Sequence, residues 1–290
     1  MELIDIIQAI FDGVMKGSTY ALIGIGFTLI FGVMHKLNLA YAAASIAGAY
    51  ASLTLISLFP ETSAFLVFLM AVFVSGILGY LVYLLCFKFI PLANQLATLM
   101  STVGMLFFIE EVVVHTTDGM PVPYPAMPFD EYFWFGDFSV RGDLILIFLF
   151  CVIATLLLMY MLYRTRLGIA TRAVAQQPIA ARLAGISIEK TNAVTFVMTG
   201  LLGGLAGAMI GASVSVLSPL IFIPVTVKGL IVTVIGGLGS IPGAIVAGLL
   251  VGGFEELFLV LRGVTERDIY IMLLLFVFLT SSSKDSIHDR

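Results

Sequence analysis

The chain has 290 residues, of which 60% are hydrophobic and 11% are charged, and its net charge at pH 7 is −4. Soluble domains carry about 25% charged residues, so this composition excludes an ordinary soluble globule. It also excludes a disordered chain, which would be poor in apolar residues. The acidic balance provides no basic field for nucleic acid. We therefore predict an integral membrane protein.

Charge-free windows recur along the whole chain, and most are long enough for a spanning helix of about 20 apolar residues. The windows are 17–34, 37–60, 62–87, 89–109, 144–163, 191–227, 229–254 and 269–283. The window 191–227 and the glycine-interrupted window 229–254 are each expected to hold more than one element. The prediction is an all-α polytopic membrane protein with eight to ten transmembrane segments, nine being favoured. Broken or re-entrant helices are expected among them, within a single transmembrane domain over residues 1–290.

The N-terminal region has two interpretations. Glu2 and Asp5 stand where a secretory signal is basic, so the first segment is expected to be retained. One simple span over 17–34 places the N-terminus outside the cell. Two elements, or a re-entrant piece, within residues 1–30 place it inside.

Polar residues mark the first two spans and are candidates for a solute pathway. Ser18 and Tyr20 open one span, and Asn38, Tyr41 and Ser45 follow at the spacing that places side chains on one helix face. Such residues serve either as interhelical hydrogen-bonding groups or as the polar lining for a permeating solute.

Two loops of opposite charge predict the orientation. Loop 116–143 contains four prolines and five acidic residues against Arg141 alone, whereas loop 164–190 contains five basic residues against Glu189 alone. Cytoplasmic loops carry an excess of Lys and Arg. Loop 116–143 is therefore predicted to be periplasmic and loop 164–190 cytoplasmic, with one span between them.

A short surface helix is predicted at about 178–184 in the cytoplasmic loop. Pro178 suits the first helical turn, and Gly185 suits the left-handed stop. The apolar face of this helix, with basic residues nearby, either docks in a groove of a partner or only fixes topology and touches lipid headgroups. The candidate coupling residues are Arg172, Pro178, Ala181, Arg182, Leu183 and Gly185.

Glycines are concentrated in two regions that indicate close helix packing. Gly200, Gly203, Gly204, Gly207 and Gly211 form overlapping small-xxx-small steps, which serve static packing or a moving gate. Two short spans flanking a tight turn are predicted around a second group, formed by Gly236, Gly237, Gly239 and Gly243. No P-loop pattern is present, so the chain is not expected to hydrolyse ATP by that route.

Ionisable residues inside apolar windows are costly and mark functional candidates. Lys228 stands between two windows, where an interfacial position is favoured, and Glu255 is better placed to face the bundle interior. A pairing of the two is a second interpretation. The histidines have no Cys or carboxylate companions at ligand spacing, so neither a metal site nor a catalytic constellation is expected.

The chain resembles the LivH-type permease subunits of branched-chain amino acid ABC importers over about residues 10 to 260. The blocks that carry the resemblance are 17–22 (G-S-T-Y-A-L), 26–32 (G-F-T-L-I-F-G), 38–40, Gly168 with 172–173, 181–186, 228–229, 236–244 (G-G-L-G-S-I-P-G-A) and Glu255. All of these blocks in this order indicate the family more specifically than any single block does.

The resemblance implies a complex in the bacterial inner membrane. Its other members would be a second permease chain (LivM-like or a second copy), two cytoplasmic ATP-binding subunits and a periplasmic solute-binding protein, with membrane lipid around the spans. This chain would bind no cofactor, since ATP and Mg are used by the partners. Residues 178–184 would correspond to the coupling helix, and solute would cross by alternating access.

Two departures from the family pattern and two competing hypotheses remain open. Tyr41 stands where the family usually has His, and this difference leaves the solute undetermined. The candidates are a branched-chain or related amino acid, urea, a short amide and an aromatic acid. The polar tail 281–290 replaces the usual ending. The competing hypotheses are a self-sufficient ion-coupled transporter or channel, and a membrane enzyme or structural subunit.

Overall fold

The computed structural model describes residues 3–90, 94–127, 132–135, 138–263, 269–273 and 276. The helices are α1 (Leu3–Met34), α2 (Ala40–Leu58), α3 (Ala64–Val82), α4 (Gln95–Thr117), α5 (Gly142–Arg164), α6 (Arg166–Gln176), α7 (Pro178–Leu183), α8 (Ile188–Val214), α9 (Phe222–Gly236) and α10 (Ile241–Arg262). A π-helical segment, Tyr83–Lys88, continues α3, and a 3-10 turn, Pro219–Ile221, precedes α9. The strands are β1 (Val122–Pro123), β2 (Tyr132–Phe135), β3 (Phe138–Arg141) and β4 (Val216–Leu217).

Eight helices within the described residues are long and apolar enough to cross a membrane. They are α1 to α5 and α8 to α10, so the all-α polytopic prediction is confirmed. The window 191–227 holds most of α8 and the start of α9, as expected of a window with more than one element. The window 269–283 lies mostly, and the tail 281–290 wholly, outside the described residues.

The first segment is one continuous helix and not two elements. α1 has 32 residues, which at 1.5 Å per residue makes it about 48 Å long. Because the hydrocarbon core is about 30 Å thick, α1 must tilt or project beyond it. The structure therefore contains the single helix of the first interpretation. Together with the charges of the two loops, a single first span predicts an N-terminus outside the cell.

α1 and α10 pack against each other through glycines. A Cβ built at Gly17 would lie 2.6 Å from the carbonyl oxygen of Gly248, and one built at Gly248 would lie 2.5 Å from the Cα of Ala21. Gly13 and Gly252 face the opposite helix in the same way. Small residues permit this approach in lipid, where packing drives helix association. The two backbones are therefore in direct contact over several turns.

The glycines of α8 lie against α2 and α3. A Cβ at Gly200 would lie 2.6 Å from the carbonyl oxygen of Ser75 on α3, and Gly203 and Gly207 both face Ser45 on α2. Gly204 meets α3 in the same manner as Gly200. These contacts are the close packing that the small-xxx-small spacing predicts, whereas a gating role for them stays a prediction.

Two small antiparallel sheets lie in the connections, which the sequence did not predict. β1 pairs with β4, and β2 pairs with β3. Tyr124, just after β1, is buried beside α2 with its hydroxyl oxygen 3.3 Å from Ser52 Oγ, and burial raises the pKa of Tyr124 to about 12. The proline-rich loop is thereby tied to the bundle. Its acidic residues Asp130, Glu131 and Asp137 lie outside the described residues.

Substitution of Gly252 by Ala is expected to destabilise the protein. The new Cβ would overlap backbone atoms of Gly13 and Gly17, and backbone cannot rotate out of the way as a side chain can. Overpacking of this kind costs about 1–3 kcal/mol. The measurement is the apparent Tm of the purified protein by fluorescence-detected size-exclusion chromatography.

Gly104→Ala on α4 is the matched control, because no atom of the described residues lies within 4 Å of the Cβ built there. Replacing a helical glycine by alanine without a clash gains about 0.5–1 kcal/mol. An equal loss of Tm for both variants would show that the effect is unrelated to the contact between α1 and α10.

Candidate functional site: an intramembrane ion pair and a coupling segment

An ion pair joins α9 and α10 inside the helix bundle. The Nζ of Lys228 lies 2.7 Å from Oε1 of Glu255, and the two residues are only 8% and 5% exposed. Lys228 therefore lies within α9 with its side chain covered by protein. The structure therefore contains the Lys228–Glu255 pairing, which was the second interpretation of these two residues.

Tyr20 on α1 completes this group. Its hydroxyl accepts a hydrogen bond from the Nζ of Lys228 at 3.5 Å, and the same nitrogen lies 5.3 Å from the centroid of the Tyr20 ring. A buried charge is tolerated when an opposite charge and hydrogen bonds compensate for its lost hydration. Three helices, α1, α9 and α10, thus share one compensated charge pair.

A second ion pair lies beside the first but is more exposed. Lys16 on α1 pairs with Glu256 on α10, with side chains 33% and 13% exposed. Arg141, at the end of β3, pairs with Asp143 at 2.6 Å. The Lys16–Glu256 pair thus joins α1 and α10 toward the end of the bundle that the loop charges predict to be periplasmic.

The hydroxyls of Ser18 and Ser45 bond within their own helices. Ser18 Oγ donates to the carbonyl oxygen of Met15 at 2.6 Å, and Ser45 Oγ donates to that of Tyr41 at 2.8 Å. Ser18 and Tyr20 lie in the middle of α1, since that helix begins at Leu3 and not near residue 17. Both hydroxyls thus donate to backbone carbonyls of their own helices, and the interhelical role considered from the sequence stays a prediction.

Tyr41 on α2 is enclosed by α1 and α8, and Asn38 just before α2 is also buried. Tyr41 meets Phe27 edge to face at 5.1 Å and packs against Gly26 and Gly203. Asn38 precedes the start of α2, so the single helix face expected for Asn38, Tyr41 and Ser45 is wrong for Asn38. Among the described residues, the Tyr41 hydroxyl and the Asn38 Oδ1 have no hydrogen-bond partner. Their role in a solute pathway stays a prediction.

A cleft of about 580 Å³ opens between α2, α3 and α4. Tyr50 and Phe108 form part of its wall, and the aliphatic hydroxyl groups of its lining belong to Thr54, Ser57, Thr116 and Thr117. The sequence did not indicate this cleft, because its walls come from three helices whose lipid-facing and cleft-facing residues are equally apolar.

The predicted short helix is present as α7, Pro178–Leu183, with Pro178 in its first turn. It ends one residue before the predicted Ala184. Gly185 follows with φ +83°, in the left-handed region that a side chain disfavours. The predicted helix stop at this glycine is confirmed.

α7 presents an apolar pair to the outside of the molecule. Ile179 and Leu183 are 79% and 85% exposed and lie four residues apart, which places them on one face. Ala181 is buried, so it holds α7 against the protein and does not belong to the exposed face. Arg182, next to Leu183, is exposed.

α6, which the sequence did not predict, connects α5 to α7 and lies beside the turn between α9 and α10. Thr165 caps α6 by accepting a hydrogen bond from the backbone N–H of Gly168 at 3.2 Å, a local signal that would have predicted the helix start. Arg172 on α6 lies 5.1 Å from the ring centroid of Tyr163. A cavity of about 440 Å³ is lined both by Arg172 and by the start of α10 at Ile241.

The glycine-rich segment forms the predicted tight turn. α9 ends at Gly236, and Gly237 and Gly239 follow with φ of +86° and +92°. Ser240 Oγ accepts a hydrogen bond from the N–H of Gly243 at 3.2 Å and caps α10. The backbones of Gly236 and Gly243 are in contact, so these glycines let the chain reverse between two spans.

Residues 9–280 match the family described as branched-chain amino acid transport system / permease component. The chain belongs to this family. It is 30% identical over 266 residues to the high-affinity branched-chain amino acid transport system permease protein BraD of Pseudomonas aeruginosa, covering 88% of this chain and 86% of that protein. It is 29% identical to LivH of Escherichia coli K12, covering 94% and 92%. The probable LivH of Methanocaldococcus jannaschii is 26% identical, covering 84% and 78%.

Family membership confirms the prediction of an ABC importer permease. A permease subunit moves a solute and is not an enzyme by itself. Lys228, Glu255, the 236–243 turn and α7 all lie within the matched residues. The roles of individual residues stay predictions.

Removal of one partner of the Lys228–Glu255 pair is expected to destabilise the permease strongly. Lys228→Met leaves a buried carboxylate and Glu255→Gln leaves a buried ammonium, and each such loss costs about 3–5 kcal/mol. The double variant, which leaves no charge behind, should be more stable than either single variant. The measurement is the apparent Tm of all four proteins.

The Lys16–Glu256 pair supplies the control. Because it is more exposed, Lys16→Met should lower the Tm less than Lys228→Met does. If Lys228→Met lowered Tm no more than Lys16→Met, the burial of the inner pair would have no energetic consequence and this account of it would be wrong.

Proposed function

We propose that this permease carries branched-chain or related amino acids across the bacterial inner membrane, driven by ATPase subunits that bind α7. The relatives are named for branched-chain amino acid transport. The observation that carries the proposal is the exposed pair Ile179 and Leu183. Two large aliphatic side chains on a six-residue helix between basic residues fit the groove of a partner protein.

The partner ATPases would act on the bundle through α6 and α7. α6 and the start of α10 line one cavity, so displacement of α6 changes the surroundings of the turn before α10. α10 begins there and reaches Glu255 about 21 Å further along, at 1.5 Å per residue. A force applied at α7 would in this way reach the ion pair through a single helix.

The opposite end of the bundle would receive the solute. The exposed aromatic residues Tyr132, Phe133 and Trp134 lie on β2 in the loop predicted to be periplasmic, and a periplasmic solute-binding protein would dock there. The complex would contain two ATP-binding subunits, which use ATP and Mg, and a second permease chain that is LivM-like or a second copy. Solute would cross between the two permease chains by alternating access.

A second candidate mechanism, ion-coupled transport without ATPase subunits, is favoured by one observation only. The buried Lys228–Glu255 pair resembles the intramembrane charges that couple transport to ion gradients. The two mechanisms differ in their energy source. Uptake into vesicles that persists without ATP and stops when the ion gradient is collapsed would support the second candidate and contradict the first.

Substitution of Leu183 by Asp is expected to abolish co-purification of the ATPase subunits. A carboxylate placed in an apolar groove without a partner is costly, whereas the same change leaves the core untouched because Leu183 is exposed. The measurement is the ratio of ATPase to permease after affinity purification, followed by the ATPase rate with solute-loaded binding protein.

Met120→Asp is the matched control, since Met120 is also a large exposed apolar residue but lies just beyond α4, at the other end of the bundle from α7. It should retain the ATPase subunits. Retention of the subunits by the Leu183→Asp permease, or by one lacking 178–184, would count decisively against coupling through α7.

A further inference from the structure

The cavity of about 440 Å³ that is lined by Arg172 and Ile241 lies where four parts of the fold meet. These parts are α1, the end of α5, α6 and the turn that leads into α10, and we call the space between them the α6–α10 cavity. Within the described part of the chain, Arg172 is the one charged residue of its lining, and no acidic residue belongs to it. The cavity lies at the end of the bundle that the loop charges predict to be cytoplasmic.

Arg172 brings a positive charge to the α6–α10 cavity. None of the ion pairs within the described residues includes it. Its guanidinium lies 5.1 Å from the ring centroid of Tyr163, which also lines the cavity. Contact with a ring face orients a guanidinium but leaves the N–H donors at its edge unused. These donors are therefore available to an anion.

Thr28 of α1 supplies a second donor to the lining of the cavity. It is 1% exposed, and its Oγ1 has no hydrogen-bond partner among the described residues. The carbonyl oxygen four residues earlier, at Gly24, instead lies 3.2 Å from Oγ1 of Thr233 on α9. A buried hydroxyl without a partner costs free energy, which a ligand in the cavity would recover.

The first turn of α10 supplies a third donor. Pro242 has no N–H, and the N–H groups of Gly243 and Ala244 both bond to Ser240. The N–H of Ile241 is left without an acceptor among the described residues. Because α10 has 22 residues, the partial positive charge of its N-terminus adds to the attraction for an anion.

The arrangement of these donors favours a phosphate ester over a carboxylate. The donors come from α1, α6 and α10, and a phosphate ester presents three oxygens in three directions, whereas a carboxylate presents two in one plane. A cavity of about 150 Å³ accommodates benzene, so about 440 Å³ takes the phosphate together with part of the esterified group. Leu29, Val33 and Leu162 give the lining an aliphatic side for that group.

We propose that the α6–α10 cavity is a binding site for a phosphate ester. The phosphate oxygens accept hydrogen bonds from the guanidinium of Arg172, the hydroxyl of Thr28 and the N–H of Ile241. The ligand is either a soluble organic phosphate or the headgroup of a phospholipid from the adjoining leaflet, since both present the same group. Once bound, it joins α6 to α10. The site goes beyond the proposed function and needs no ATPase subunit, so either can fail without the other.

The first test is binding of two probes to the full-length permease chain, purified in detergent and freed of lipid. Radiolabelled glycerol 3-phosphate is measured by equilibrium dialysis, and dioleoyl phosphatidylglycerol is counted per chain by native mass spectrometry. Saturable binding of glycerol 3-phosphate identifies a soluble ligand, and retention of the phospholipid alone identifies a headgroup. Glycerate, which carries a carboxylate in place of the phosphate, should bind at least about tenfold more weakly than glycerol 3-phosphate, about 1.4 kcal/mol. Binding of neither phosphate probe would overturn the proposal.

Arg172→Gln should weaken binding of whichever probe binds at least about tenfold, again about 1.4 kcal/mol. Arg166→Gln is the matched control, because Arg166 is exposed on the same helix but does not line the cavity. It should bind the probe as the unmodified chain does. An equal loss for both variants would show only the general attraction of basic residues for anions, and the assigned site would be wrong.

The second test removes one hydroxyl and leaves every charge in place. Thr28→Val should weaken binding of the same probe at least about tenfold. Thr226→Val is its control, because Thr226 is also buried but donates to the carbonyl oxygen of Phe222 at 2.7 Å and lies outside the cavity lining. Unchanged binding by a folded Thr28→Val chain would contradict the proposal. If that variant does not fold, the comparison of Arg172→Gln with Arg166→Gln decides the question.

Discussion

The backbone contact between α1 and α10 is the constraint on which the rest of the structure depends. Gly17 and Gly248 let the two helices touch, whereas larger side chains would hold their axes about 8–10 Å apart. Tyr20 lies one turn from Gly17, and Glu255 lies two turns from Gly248. The contact therefore holds both beside Lys228 of α9, at hydrogen-bonding distance. The position of the buried charges therefore depends on the glycines.

The features that the sequence predicted are those that depend on a few neighbouring residues. Apolar length alone indicates a spanning helix, the missing N–H of Pro178 favours a helix start, and a glycine at positive φ is required at Gly185 and Gly237. The strands were missed because two to four residues are too few for an alternating pattern. The cleft between α2, α3 and α4 was missed because apolar residues face lipid and protein alike.

The candidate pathway residues show why polarity alone does not identify a site. Ser18 and Ser45 satisfy their hydroxyls on carbonyl groups three and four residues earlier, so a hydroxyl inside a membrane helix needs no partner on another helix. Lys228 and Glu255 differ, because no local backbone group compensates a full charge. Their pairing across 27 residues depends on the 236–243 turn. The glycines of this turn indicated that it is tight, but they did not indicate which residues of α9 and α10 it would bring together.

The structure also explains how one helix can connect the two ends of a permease. α10 begins beside Arg172 of α6 and carries Glu255 about 21 Å away, so movement at its start is carried by a continuous hydrogen-bonded rod. Coupling between distant sites requires an element with two discrete arrangements that both sites bias. The structure contains one of these arrangements, in which Lys228 and Glu255 are paired at 2.7 Å. Under the proposed function, displacement at α7 would act on this pair through α10.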